Sequence, residues 1–432
     1  MAFINSHKHK FQLEQLTPIL HFQPEQDGAA VRASEMKPKL DRFILEYCGD
    51  DVSKEVMEEW IQASSEENSN KLPSLAYKMN IYTGEKEFPW EGRDRYPGGF
   101  FGNVRTPGRN IGVLGILSQD VEVEITCYID SLLDKIKEVF PVFLAVTNFG
   151  TRQRMGYGSF RLKGEEWNRE ELIRKYAERM TENKVLVYSF QCPGENTDAD
   201  VALDMIKDFH QHLKSGVRSR DYDANCSLLL KQYAAEKDDN SVNEKKAMKA
   251  ALARAEVYNI EKLSRQRNGE ETLRRVPLRS VVYKRGIFGF AGQYEFRSVY
   301  RKTERRNINE QGCTVIFQLK AKSEKGTIKR FPSPITYSAE QGKIYMIVRL
   351  DHINQLLDYD PHIMLINQKE KIKLRGPGRP DVKNGAAKPI HMNLPKNFDV
   401  KDFFEFVAEK QVPCCIKVDG EPVEGYYQLR TL

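Results

Sequence analysis

The sequence predicts an α+β protein made of two mixed domains in tandem with a helical insertion between them. Three observations carry this reading. The chain has 432 residues, more than one domain usually holds. Strand-like alternation and helical apolar spacing mix within residues 1–200 and again within 276–432. Residues 201–275 between them turn charged and helical, as in "NEKKAMKAALARAEVYNIEKLSRQ".

Taken in order, residues 11–22 ("FQLEQLTPILHF") alternate as a strand that Pro18 interrupts or bends. In "RASEMKPKLDRFILEYC", Met36, Leu40, Phe43, Ile44 and Tyr47 share one stripe, which predicts a helix over 35–48 with Ser34 as its N-cap and Pro38 in its first turn. Residues 50–90 are acidic and serine-rich and read as a surface insertion with one short helix. The glycine- and arginine-rich stretch that follows, including 92–110, predicts no regular structure.

"DVEVEITCYI" puts Val121, Val123 and Ile125 on one face of a half-buried strand. A helix over 130–140 begins at Asp130 and is expected to stop at Pro141, before a strand "VFLAV" over 142–146. "KVLVYSF" (184–190) supplies another strand. In the second domain "SVVYKRG", "CTVIFQLKAK", "PITYS" and "KIYMIVRL" read as strands and "VKDFFEFVAEK" as a terminal helix.

Charge is distributed unevenly. The whole chain carries +6, yet between residues 274 and 306 ten Lys or Arg face two Glu. Concentration of this kind predicts a polyanionic partner, because dispersed charge would only solvate the surface. Seven cysteines without a CxxC spacing fit a reduced interior with neither disulfide framework nor zinc knuckle. The first residues have no apolar signal region, and no apolar run is long enough to span a bilayer, so a cytoplasmic protein without membrane contact is expected.

The chemistry concentrates in "FGTRQRMGYGSF" (149–160). Gly150, Gly156 and Gly158 can take positive φ and bring backbone N–H groups to an anion, while Arg152 and Arg154 offer forked donors to phosphate oxygens. The spacing is neither GxGxxG nor a Walker A loop, so a nucleotide cofactor has no support. An exposed tight turn is the plainer alternative. Arg93, Arg95, Arg105 and Arg109 form a second basic group, beside Phe100 and Phe101, which either stack on a base or anchor the loop. A third runs from Arg274 to Arg306 and includes Lys284 and Arg285 among aromatic residues, a pattern compatible with RNA contact, with an acidic protein neighbour or with a solvated strand face. "KLRGPGRPD" (373–381) is a further Gly/Arg loop.

The pattern Gly150-x-Arg152-x-Arg154-x-Gly156-x-Gly158-Ser159-Phe160 resembles the glycine loop of RAMP proteins, the RNA-binding subunits of CRISPR systems. "LTPILHF" followed by "VRASEMKPKLDRF" is similar to that family's opening strand, TP pair and first helix, and "RGIFGF" and "RFPSPITY" resemble the second half of the Cmr-type subunit of type III-B complexes that binds the crRNA 3′ end. His21, Phe22 and Gln23 depart from the small residues usual after the TP pair, as does Lys37-Pro38 from the usual Lys-Gly step.

The resemblance implies tandem ferredoxin-like (RRM-like) domains and selects Arg32, Lys37, Gly150, Arg152, Arg154, Gly156, Gly158 and Ser159 as RNA-binding positions. It implies crRNA, target RNA and other effector subunits as partners in antiviral RNA targeting, with no cofactor. Relatives that process crRNA cut it without metal, through a histidine. Here His21, with Tyr47 and Lys37 as assistants, is the enzymatic alternative to a structural subunit; a packed loop histidine is the plainer reading. None of the eight histidines lies in a metal-binding motif.

Overall fold

The computed structural model describes residues 7–21, 30–49, 51–61, 73–88, 115–164, 167–180, 184–195, 197–214, 229–237, 283–290, 330–357, 395 and 398–432, and the backbone of strands at 293–297, 314–323, 326–328, 363–368 and 390–393. Its content is mixed helix and antiparallel sheet, an α+β fold. No helix among the described residues is long and apolar enough to cross a membrane.

The first half runs β1 (Lys8–Gln15), α1 (Ala33–Cys48), α2 (Lys54–Trp60), β2 (Tyr77–Tyr82), β3 (Val121–Cys127), α3 (Asp130–Val146), β4 (Phe160–Leu162) and α4 (Arg169–Arg179). The strands form one antiparallel sheet in the order β2-β3-β1-β4. Alternation in the sequence sets its register: Phe11 pairs with Val123 and Leu13 with Val121, all four buried. Buried residues of α1 and α3 join this core, with the rings of Phe11 and Phe140 stacked 4.1 Å apart.

Three predicted features change here. The helix expected to stop at Pro141 continues to Val146, and the strand expected over 142–146 is its last turn. Val142, Phe143, Leu144 and Ala145 are all buried, so packing on successive faces of a helix outweighs the one hydrogen bond that proline removes. The acidic stretch 50–90 holds the short helix expected, α2, but also the strand β2, which pairs with β3 through Tyr77↔Cys127 and Met79↔Ile125. At the start of α1, Arg32 and not Ser34 is the cap residue, without a side-chain capping bond.

The second sheet begins earlier in the chain than composition indicates. It contains β5 (Val185–Gln191), β6 (Ile335–Glu340), β7 (Lys343–Arg349) and β8 (Arg430–Thr431), in the order β6-β7-β5-β8. Helices α5 (Ala199–Lys214), α6 (Leu229–Glu236), α7 (Leu350–Leu357) and α8 (Val400–Glu409) accompany it. Thus "KVLVYSF", read as the last strand of the first domain, lies between β7 and β8, and α5, read as part of a connector, packs in the second core. Each sheet has the chain order second, third, first, fourth strand, with a helix after the first and after the third. A separate sheet is built from 293–297, 314–323, 326–328, 363–368 and 390–393.

"SVVYKRG" does not supply the expected strand at its described end: Lys284–Phe288 is a 3-10 turn. It is pulled inward by Ile287 and Phe288, both fully buried. As a result Lys284 and Arg285 are only 7% and 6% exposed, which removes them as surface contacts for a polyanion.

The halves are joined by a buried charge cluster. Arg169, with 1% of its side chain exposed, donates from Nε to Glu340 Oε2 at 2.7 Å, from Nη1 to the Ala145 carbonyl at 3.1 Å and from Nη2 to the Phe160 carbonyl at 2.8 Å. Trp167 Nε1 and Arg161 Nη1 also donate to Glu340. Glu340 ends β6, so one carboxylate receives three donors from the other half. Glu340→Ala leaves Arg169 buried without its counter-ion and is expected to cost about 3 to 5 kcal/mol, read as a lower denaturant midpoint. A loss under about 1 kcal/mol would show the cluster to be dispensable.

Candidate nucleic-acid interface

The glycine loop connects α3 to β4. Four of its residues have positive φ: Gly150 at 79°, Arg152 at 58°, Gly156 at 87° and Gly158 at 68°. Phe149 N donates to the Gly158 carbonyl at 2.9 Å, closing the loop so tightly that a Cβ on Gly158 would lie 2.1 Å from the Phe149 oxygen. The "TP" pair clamps it from below. Thr17 Oγ1 donates to the Gly156 carbonyl at 2.7 Å and accepts from Ser159 N at 2.9 Å, while Gly158 N donates to the Pro18 carbonyl at 3.0 Å.

The glycines therefore supply conformation, and their N–H groups serve the fold. Gly150 N donates to Glu35 Oε1 at 2.8 Å, and Gly156 N to the Gln153 carbonyl at 3.4 Å. The anion cradle of backbone amides expected from the sequence is not formed by these three residues. Ser159 is fully buried beneath the loop.

The two loop arginines have different surroundings. Arg152 interacts with the Tyr157 side chain, and burial lowers its pKa. Arg154 donates nothing through Nη1, a buried atom with no hydrogen-bond partner among the described residues. Its backbone carbonyl accepts from Tyr337 N of β6 at 3.0 Å, and Asn148 Nδ2 donates to the Tyr337 carbonyl at 2.7 Å. The loop is thus stitched to the second sheet, and Arg154 lies on the seam.

A cleft of about 200 Å³ opens along that seam, walled by α1, the loop, α4, β6, β7 and the start of α7. Its cations are Lys39, Arg42, Arg154 and Arg349, with the imidazole of His352 beside them; Glu46 is its acid. Lys39 is tied to Glu35, the Asn148 carbonyl and Gln153. Arg349 holds Asp351 through Nε at 2.9 Å and Nη2 at 2.6 Å, and reaches Glu46 at 3.3 Å. Burial opposes its charge, but the bond to Asp351 prevails and raises its pKa. For Arg154, burial and then the Arg349 charge lower the pKa; for His352, burial and then Arg349 do the same. Two partly buried arginines that repel one another, one of them with an unused donor, favour the entry of an anion that can accept a forked hydrogen bond.

The other predicted residues are not gathered here. Lys37 Nζ is held by Asp41 Oδ2 at 2.8 Å, Ser74 Oγ at 2.9 Å and the Leu75 carbonyl at 3.1 Å. Arg32 caps α1. His21 Nε2 lies 3.0 Å from the Ala30 carbonyl, and burial lowers its pKa. Lys37 and Tyr47 are ten residues apart on α1, about 15 Å along its axis, so they cannot together assist His21 at one bond. Arg93, Arg95, Arg105 and Arg109, with Phe100 and Phe101, lie outside the described residues, as do Arg274, Arg275, Arg279, Arg301, Lys302, Arg305, Arg306 and 373–381. Lys39 and Arg42, with Glu46, had a signal: spacings of three and four put them on one face of α1. Arg349 and His352 had none, because only the paired fold brings them to the loop.

Residues 6–217 match the family model described as the Cmr1 N-terminal domain, and residues 225–419 the one described as the Cmr1 C-terminal domain. Matches over both halves define a Cmr-type RAMP protein of the type III-B CRISPR systems. The chain belongs to the Cmr1 family. Among solved structures, the crystal structure of Cmr1 from Pyrococcus furiosus in its apo form is similar at 11% identity, over 93% of this chain and 96% of that one, with a TM-score of 0.36. No curated protein matches.

The loop geometry is testable by substitution. Gly158→Ala combines positive φ with a clash against backbone and is expected to cost well over 2 kcal/mol, whereas Gly164→Ala, at φ 80° but with open space around it, should cost about 1 to 2 kcal/mol. Equal losses in thermal or denaturant unfolding would contradict the tight closure.

Proposed function

We propose that this chain is a structural, RNA-binding subunit of a type III-B CRISPR effector complex, where it holds the 3′ region of the crRNA and caps one end of the assembly. Its two sheets of identical strand order are read as tandem ferredoxin-like domains, the second starting near residue 184. Partners are the guide, the target RNA during antiviral targeting, and neighbouring subunits.

The observation that carries this reading is the cation-lined cleft beside the glycine loop, with the buried Nη1 of Arg154 unused. A guanidinium beside other cations matches phosphate oxygens better than it matches a single carboxylate. RNA so held is recognised through phosphates and 2′-hydroxyls, with shape and strand end weighing more than sequence. Arg32, and Arg93, Arg95, Arg105 and Arg109, which lie outside the described residues, are the further phosphate contacts of this proposal. Cleavage is not part of the proposed role: the His21 ring lies against the Ala30 carbonyl, and Lys37 and Tyr47 are too far apart along α1 to assist it together.

Arg154→Ala is expected to weaken binding of single-stranded RNA by about 1 to 3 kcal/mol and to reduce the salt slope by about one, with the unfolding temperature unchanged. Filter binding across a potassium chloride series measures both. Unaltered affinity and slope would sink the assignment of Arg154.

A further inference from the structure

Helix α5 carries Asp208 and His212 one turn apart, hence on one face, and both are buried. Cys415, far along the chain, is laid against that face. Its backbone N donates to Asp208 Oδ2 at 2.8 Å, and the Tyr427 hydroxyl donates to the same oxygen at 2.9 Å. A carboxylate oxygen, an imidazole nitrogen and a thiol sulfur consequently lie within 4.8 Å of one another.

The histidine is set as a ligand. The Pro413 carbonyl hydrogen-bonds its ring, while Nε2, on a residue only 1% exposed, has no hydrogen-bond partner among the described residues. Nε2 lies 3.8 Å from Asp208 Oδ2, too far for a hydrogen bond. An imidazole fixed through one nitrogen by a backbone carbonyl and presenting the other to anionic donors is how proteins orient a metal-binding histidine. A nucleophilic cysteine would need the reverse, with the carboxylate on one ring nitrogen and the thiol on the other.

We propose that Asp208, His212 and Cys415 bind one zinc ion, which fastens the C-terminal segment to α5. Mixed O, N and S donors suit zinc and exclude calcium and magnesium as preferred ions. Zinc bonds of about 2.0 to 2.3 Å place tetrahedral ligands about 3.3 to 3.8 Å apart, so the donors close in by up to about 1.5 Å. Rotation of the half-buried Cys415 side chain supplies most of that. Binding releases the Cys415 thiol proton to solvent, and the fourth position is open to water. The ion would be structural, in the core of the second half and independent of the RNA reading.

The full-length chain, stripped with a chelator and titrated with cobalt(II), tests this. The expected result is saturation at one ion per chain, with visible tetrahedral absorption, a near-ultraviolet thiolate-to-cobalt band, and displacement by zinc. His212→Gln should abolish the spectrum. Cys415→Ser, a near-isosteric change at a half-buried position outside helix and strand, should remove the thiolate band and weaken affinity at least about tenfold, with the far-ultraviolet circular dichroism unchanged. Folded wild-type protein giving no cobalt spectrum, or a thiolate band surviving in Cys415→Ser, would overturn the proposal.

Discussion

A guanidinium as deeply buried as that of Arg169 persists only where acceptors surround it, and its acceptors come from both halves of the molecule: Glu340 from the second sheet, and the carbonyls of Ala145 and Phe160 from either side of the glycine loop. The same contact therefore fixes three things: the end of α3, the start of β4 and the edge of the second sheet. Trp167 and Arg161 share the Glu340 carboxylate, which leaves little freedom for the sheets to slide. The cleft opens along the same seam, between the loop and α1 on one side and β6 and β7 on the other.

Within that frame the glycine loop acts by shape. Its amides are engaged by Glu35, Pro18 and Gln153, so what it delivers to the cleft is a side chain, Arg154, at a position set by hydrogen bonds to Tyr337. A loop with ordinary φ values would not close between Phe149 and Gly158, and Arg154 would not meet Arg349. Positive charge accumulates where desolvation already weighs against it, a cost that an incoming phosphate relieves.

Much of this was legible from the chain. Helices α1 and α8 and strand β1 bury one face that apolar spacing reports, although β1 lies at Lys8–Gln15 and not over 11–22; β3, β6 and β7 are read from their apolar runs, and β7 buries residues 344–348 on both faces. What failed did so for stated physical reasons. Pro141 was read as a stop, but the four apolar residues after it pack on all sides of a helix. That residues 185–191 pair with Lys343–Arg349 was not legible, because strand patterns carry no record of their partner. Lys284 and Arg285 looked exposed because local charge does not reveal the pull of Ile287 and Phe288. The loop motif was found, yet the part of the site that faces it, Arg349 and His352, depends on pairing across the two sheets.

The account's central claim is that one cleft, made by both halves, holds the RNA backbone. Hydrogen–deuterium exchange on the full chain, with and without single-stranded RNA, addresses it directly. Slowed exchange in both the loop at 149–158 and the facing segment at 335–352 is the result the account predicts. Protection confined to one half, or absent from both segments while RNA is bound, would contradict it.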